Sequence, residues 1–215
     1  MKLFRSLLLT ALLPFMATST SFAQQAPLSL PAQLQGKAEV VNSTDADYVK
    51  ADSPSAIKPD GQGGLSQGLV VRLTADVPVY RMWSGPTKKD SRGNTNRLGQ
   101  WWSYDAPNGP QTGYRTDYEI CMGWNDLTWV ATCTLKKGAV VVIGPGQSVS
   151  AATCGDATGK ESYPANATDW QVYVSKAWAR MPGELDCPAD TADYEADLND
   201  ISKKKAAAPA AEPAK

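Results

Sequence analysis

The chain has 215 residues, with 21 Lys+Arg against 22 Asp+Glu, four Cys, seven Trp and no His. Lack of His excludes a Ser-His-Asp triad, a Cys-His dyad, an HExxH zinc site and any imidazole proton shuttle. A formal net charge of −1 offers no basic excess for a phosphate backbone, so nucleic acid is not an expected partner.

Met1 to Ala23 reads as a secretory signal peptide. Lys2 and Arg5 form a positive start, and Leu7 to Met16 forms an apolar run too short to span a bilayer. Ser21-Phe22-Ala23 supplies a small-x-small cleavage site. The expected location is therefore exported, periplasmic or secreted. All three Phe residues lie in this segment, so the core that follows must be built from Trp, Tyr and aliphatics.

Gln24 to Gln67 carries Pro27, Pro31, Pro54 and Pro59 and the Gly-rich run 60–64, and reads as an extended linker or arm. Within it, Ala38-Glu-Val-Val41 is the one stretch suited to docking. One folded domain is expected over residues 68–204. The Ala/Pro/Lys tail at 205–215 reads as disordered.

Strand signals then recur in order. Leu69 to Leu73 is a β-branched run, and Pro78 to Trp83 is stopped by Ser84-Gly85-Pro86. Gln100 to Tyr104 ends near Pro107-Asn-Gly-Pro110, a strong turn. Leu127 to Leu135 and Ala139 to Ile143 suggest a hairpin across Lys136-Lys137-Gly138, and Trp170 to Val174 is a sixth strand. Thr116-Asp-Tyr-Glu119 has the form of a capping box opening a short internal helix. A C-terminal helix is predicted over Asp190 to Lys204, with Tyr194, Leu198 and Ile201 on one face and Lys residues at its end. The expected class is α+β, mainly an antiparallel sheet or partly open barrel, with these two helices and two disulfides.

The even set Cys121, Cys133, Cys154 and Cys187 fits two bridges in an oxidising compartment. Of three possible pairings, Cys121–Cys133 with Cys154–Cys187 is favoured because the first closes a short local loop. A four-thiolate zinc site lacks any CxxC pair, so no metal is expected.

All seven Trp residues fall between Trp83 and Trp178, where core filling accounts for most. Trp101 and Trp102 are adjacent, however, and strand neighbours face opposite sides. One of them must leave the main core and offer a stacking surface. Arg81 stands mid-strand between Tyr80 and Met82, where a guanidinium can hold a phosphate or carboxylate through two parallel bonds, or simply face solvent. Gln171, beside Trp170 and Tyr173, can orient a water or a ribose hydroxyl, or face solvent likewise.

The order Val79-Tyr-Arg81, Gly99-Gln-Trp-Trp-Ser103, Tyr114-Arg115, Trp124-Asn125, Gln171-Val-Tyr-Val174 resembles the compact ADP-ribosyltransferase-like and NAD-glycohydrolase toxin domains of secreted bacterial effectors. The resemblance covers roughly residues 77–174. It implies Arg81 on the NAD pyrophosphate or ribose-phosphate, Ser103 supporting a nicotinamide pocket, and Trp102 stacking on nicotinamide. It also implies Gln171 as the catalytic group positioning ribose or water. NAD would be the substrate, with no tightly bound cofactor. No Gln-x-Glu or Glu-x-Glu stands at the third motif, which weighs against a transferase. Leu135 to Gly144 and Trp170 to Val174 also resemble the last strands of a bacterial Src-homology-3-like barrel. That resemblance implies a non-enzymatic envelope module for cell-wall peptide, glycan or a protein partner. A third possibility is an envelope inhibitor or binding protein that uses a Trp-rich sheet as its interface.

Overall fold

A computed structural model describes residues 28–206. The signal-peptide reading of residues 1–23 and most of the predicted tail lie outside the described residues.

Ten strands form one antiparallel sheet: β1 (Ala38–Val40), β2 (Leu69–Leu73), β3 (Val77–Trp83), β4 (Trp101–Ser103), β5 (Trp129–Leu135), β6 (Val140–Pro145), β7 (Trp170–Tyr173), β8 (Leu185–Asp186), β9 (Tyr194–Asp197) and β10 (Asp200–Lys204). Their spatial order is β1-β2-β6-β7-β4-β3-β5-β9-β10, with β8 also on β5. Three short helices interrupt them, α1 (Ser53–Ala56), α2 (Gln111–Asp117) and α3 (Ala151–Cys154). The sheet is open, and no helix among the described residues is long and apolar enough to cross a membrane.

Strand β6 shows why the layers form. Its run Val140-Val-Val-Ile143 is buried throughout, so both faces need cover. Val141 and Ile143 enter the main core with Val71 and Leu73 of β2, Val77 and Val79 of β3, Cys133 and Leu135 of β5, and Trp102, Val172 and Leu185. The sheet must curl for both of its halves to share that one core. On the opposite face Val140 and Val142 pack with Val70, Tyr173, Val41, Ala51, Ala56 and Leu65. Four of those six partners come from the segment predicted as a linker. Residues 41–65 thus supply a packed second layer, because the outer face of β2 and β6 is too apolar to be left in water, while Leu34 and Ala38 join the main core. Ala38–Val40 docks on β2, as its composition suggested.

Four other expectations are corrected. The hairpin across Lys136–Gly138 does not form: β5 lies between β3 and β8/β9, while β6 lies between β2 and β7. β3 holds β5 in register over all seven residues, from Val77↔Leu135 to Trp83↔Trp129, so that edge of β5 is filled. Asp76 binds the crossing together, accepting from the Lys137 amide at 2.8 Å and from Lys136 Nζ at 2.5 Å.

The predicted C-terminal helix is instead the β9–β10 hairpin. Asp197 accepts the Asn199 amide at 2.9 Å in an Asx turn, a local bond that competes with helix. Leu198 faces solvent, which breaks the supposed helical face, while Ala196 and Ile201 are buried. The internal helix is α2, which ends where the capping box was expected to open. Thr116 Oγ1 donates back to Thr112 O at 3.1 Å in its last turn.

The disulfides are Cys121–Cys154 and Cys133–Cys187, not the favoured pairing. Cys133 faces the main core from β5, whereas Cys121 lies in the loop beyond α2, so the short spacing between them misleads. The bridges close loops with sequence separations of 33 and 54 residues, each worth about 4 kcal/mol on the chain-entropy model.

Leu65, fully buried in the second layer, separates an integral layer from an appended arm. Leu65→Ala is expected to lower unfolding free energy by about 2–5 kcal/mol, read as a reduced denaturant midpoint at unchanged slope.

Candidate functional site

The site begins where the ladder between β3 and β4 stops. The two strands share one residue pair, Tyr80↔Ser103, while β4 continues against β7 through Trp101↔Tyr173. The Arg81 guanidinium enters the gap. Nη1 donates to Trp101 O at 2.6 Å, where the β3–β4 ladder has stopped, and Nε donates to the loop carbonyl Asn96 O at 3.1 Å. Gly99 packs flat on this group, and a Cβ there would stand 2.2 Å from Nη2. No carboxylate pairs with Arg81, and Nη2 makes no hydrogen bond to the described residues. Burial pushes the guanidinium down to about 10, which leaves it charged at neutral pH.

One wall is the loop from Tyr118 to Leu127. Glu119 and Leu127 adopt left-handed conformations, with φ of 48° and 54°, which cost free energy for residues with a Cβ. The surroundings hold them. Buried Arg115 donates to Ile120 O and Asn125 O, both at 3.0 Å. Asn125 Nδ2 donates to Met82 O at 2.8 Å, and Asn125 Oδ1 accepts from the Leu127 amide at 3.1 Å. The Cys121–Cys154 bridge fastens the same loop to α3.

Between this loop and the sheet lies a cavity of about 140 Å³. Arg81, Gln171 and Glu119 line it, with aromatic walls from Trp101, Tyr114, Tyr118 and Trp124. A cavity of roughly 150 Å³ accepts benzene, so this one has room for one aromatic ring. Trp124 is 48 % exposed and Met122 60 % exposed, whereas Trp101 packs inward on Tyr173, with centroids 4.9 Å apart and ring planes tilted by 57°.

Glu119 is 1 % exposed. Its Oε2 accepts from Gln171 Nε2 at 2.8 Å, and Oε1 is buried with no partner. Gly146 backs it so closely that a Cβ would lie 2.1 Å from Oε2. Burial, reinforced by the charges of Asp117 and Asp169, pushes the carboxyl up to about 9, against the opposing influence of the nearby Asn166 backbone amide and the bond from Gln171. Glu119 is therefore a neutral acid at pH 7. Gln171 Nε2 also faces Tyr118 O at 3.4 Å, so two acceptors fix the amide end. Among the described residues Gln171 Oε1 has no partner, and it is not sealed off as Glu119 Oε1 is.

Of the residues singled out from sequence, Arg81 and Gln171 meet in this cavity, although β4 separates their strands. Ser103 lies beneath it, fully buried, with Oγ donating to Asp105 O at 2.8 Å. Trp102 borders the cavity, but its ring belongs to the main core and its indole donates to Gly99 O at 2.8 Å. The off-core member of the Trp pair is Trp101. Sequence reasoning missed Glu119, which had been assigned to the capping box. Its signal was an isolated acid within the apolar and aromatic run Tyr118-Glu-Ile-Cys121. Both Cys pairs are bridged, leaving no thiolate for zinc. No family model, curated protein or solved structure matches the chain.

The Glu119 shift has a defined pH signature. Between about pH 4.5 and about 9 the folded chain keeps a proton at Glu119 that the unfolded chain releases. Its contribution to stability thus falls as pH rises through that window. Glu119→Gln is expected to flatten this slope and to be more stable than the parent at the alkaline end, measured by urea unfolding across the range.

Proposed function

We propose that the chain is an exported NAD-consuming enzyme that hydrolyses the bond between nicotinamide and ribose. The observation that carries this reading is the convergence of Arg81 and Gln171 on one aromatic-walled cavity of single-ring size. Aromatic faces attract the cationic nicotinamide ring of NAD. The unpartnered Nη2 of Arg81 suits a phosphate oxygen of the remainder of the dinucleotide.

In the reaction, a water oxygen bonds to C1′ of the ribose as the C1′–N bond breaks. The bonding pair passes to the ring nitrogen, which loses its charge, and the water proton goes to solvent. Positive charge builds on the ribose in the transition state. The free Gln171 Oε1 supplies the negative end of a fixed dipole to that sugar or to the incoming water. No strong base is needed, in accord with a chain lacking His. Transfer to a protein acceptor would use the same bond cleavage.

A second reading, a non-enzymatic envelope module for cell-wall peptide, glycan or protein, rests on the exposed Trp124 and Met122. Nicotinamide release from NAD, followed by proton NMR, separates the two. The parent is expected to release nicotinamide, Gln171→Ala to lower kcat on the order of 10²-fold, and Arg81→Ala to raise KM. Circular dichroism checks that each variant is folded. Absence of both nicotinamide release and NAD binding in the parent would overturn the enzyme reading, and a wall fragment that then quenches Trp fluorescence would support the module.

A further inference from the structure

We infer that Glu119 is a positioning residue for Gln171: an enclosed carboxylic acid that holds the amide with its carbonyl oxygen toward the cavity. The assignment rests on the NAD-cleaving reading for its effect on rate, and on geometry alone for the contact itself. A glutamine amide has two nearly isosteric ends, and only one can present an acceptor to a sugar hydroxyl or a water. Here the NH₂ end is occupied on the protein side, by Glu119 Oε2 at 2.8 Å and Tyr118 O at 3.4 Å. With Oε2 accepting, the proton of neutral Glu119 is on Oε1, so rotation of the amide would set its oxygen against Oε2 and the Tyr118 carbonyl, neither of which donates.

Three further features show how tightly Glu119 is fixed. It is 1 % exposed, so solvent does not compete for the contact. Its backbone lies in the left-handed region at φ 48°, a cost the surrounding bonds sustain. The absent side chain of Gly146 leaves the only space in which Oε2 can stand, because a Cβ there would approach it to 2.1 Å. Gly146 and Gln171 both close on Oε2, which leaves the carboxyl group little freedom to move.

The neutral form suits this task. An ionised carboxylate here would leave Oε1 charged, buried and unpartnered. A neutral amide should therefore replace it: Glu119→Gln retains an acceptor oxygen facing Gln171 Nε2, whereas Glu119→Leu fills similar volume without one. Gly146→Ala displaces Glu119 without altering either partner chemically.

The test has two independent readouts. The first is the side-chain amide of Gln171, observed by nitrogen-15 NMR and proton exchange with no substrate present. Slowly exchanging Nε2 protons are expected in the parent and in Glu119→Gln, and fast exchange in Glu119→Leu and Gly146→Ala. Fast exchange in the parent overturns the proposal whether or not the leucine variant folds. The second readout is nicotinamide release. Glu119→Gln is expected within a few-fold of the parent, and Glu119→Leu to lose at least about tenfold in kcat with KM little changed. Equal kcat in Glu119→Leu and the parent would mean that Glu119 only fills space, and would overturn its positioning role. If the parent releases no nicotinamide, the NAD reading fails, and the exchange measurement still decides whether Glu119 holds Gln171.

Discussion

The site depends on a sheet that stops pairing in its middle. β3 and β4 exchange one residue pair and then part, while each continues full pairing with its other neighbour. One carbonyl at that parting, Trp101 O, and a second in the loop before β4, Asn96 O, must find donors. A guanidinium is the side chain best shaped for this, with several N–H groups in a fixed plane and no acceptor of its own. Arg81 fills the gap and carries a positive charge into the sheet with no carboxylate to neutralise it. The same break that calls for Arg81 also opens the space in front of it.

The cavity electrostatics follow from what burial permits. Arg81 keeps its charge, because even a guanidinium pushed down to about 10 is protonated at neutral pH. Glu119 loses its charge, because neutralisation costs less than exposing an unpartnered oxygen to a low dielectric. The cavity is thus cationic and otherwise made of aromatic faces and amides. The main core lies behind it, so ligand contacts fall on a rigid sheet on one side and a strapped loop on the other.

Much of the fold was legible in the sequence, and the failures have physical causes. The strands at Leu69, Val77, Trp101 and Trp170 emerge from β-branched and aromatic runs bounded by Gly and Pro. Arg81 and Gln171 were visible as polar residues inside apolar strands. The partners of strands were less legible: Lys136–Gly138 looks like a hairpin turn locally, and only the filled edges of β5 forbid that pairing. The layer at residues 41–65 was hidden because its short turns carry few apolar residues, each spaced irregularly. The run at Val140–Ile143 held the clue, since a strand buried on both faces requires cover from elsewhere. Glu119 was misread because a capping box is a purely local pattern, whereas its actual partner lies 52 residues away on β7.

The bridge between Cys121 and Cys154 gives the cavity a history. It fastens a loop whose two left-handed residues oppose the conformation that the site needs. Cys154 is only partly buried, within reach of small thiols. Loss of about 4 kcal/mol of cross-link restraint would let this loop open locally while the sheet, tied separately through Cys133 and Cys187, stayed assembled. Reduction confined to Cys121–Cys154 would then leave a folded scaffold with an unfinished pocket. Re-forming that one bridge would complete it, so the thiol–disulfide state of Cys154 decides whether this wall of the cavity is closed.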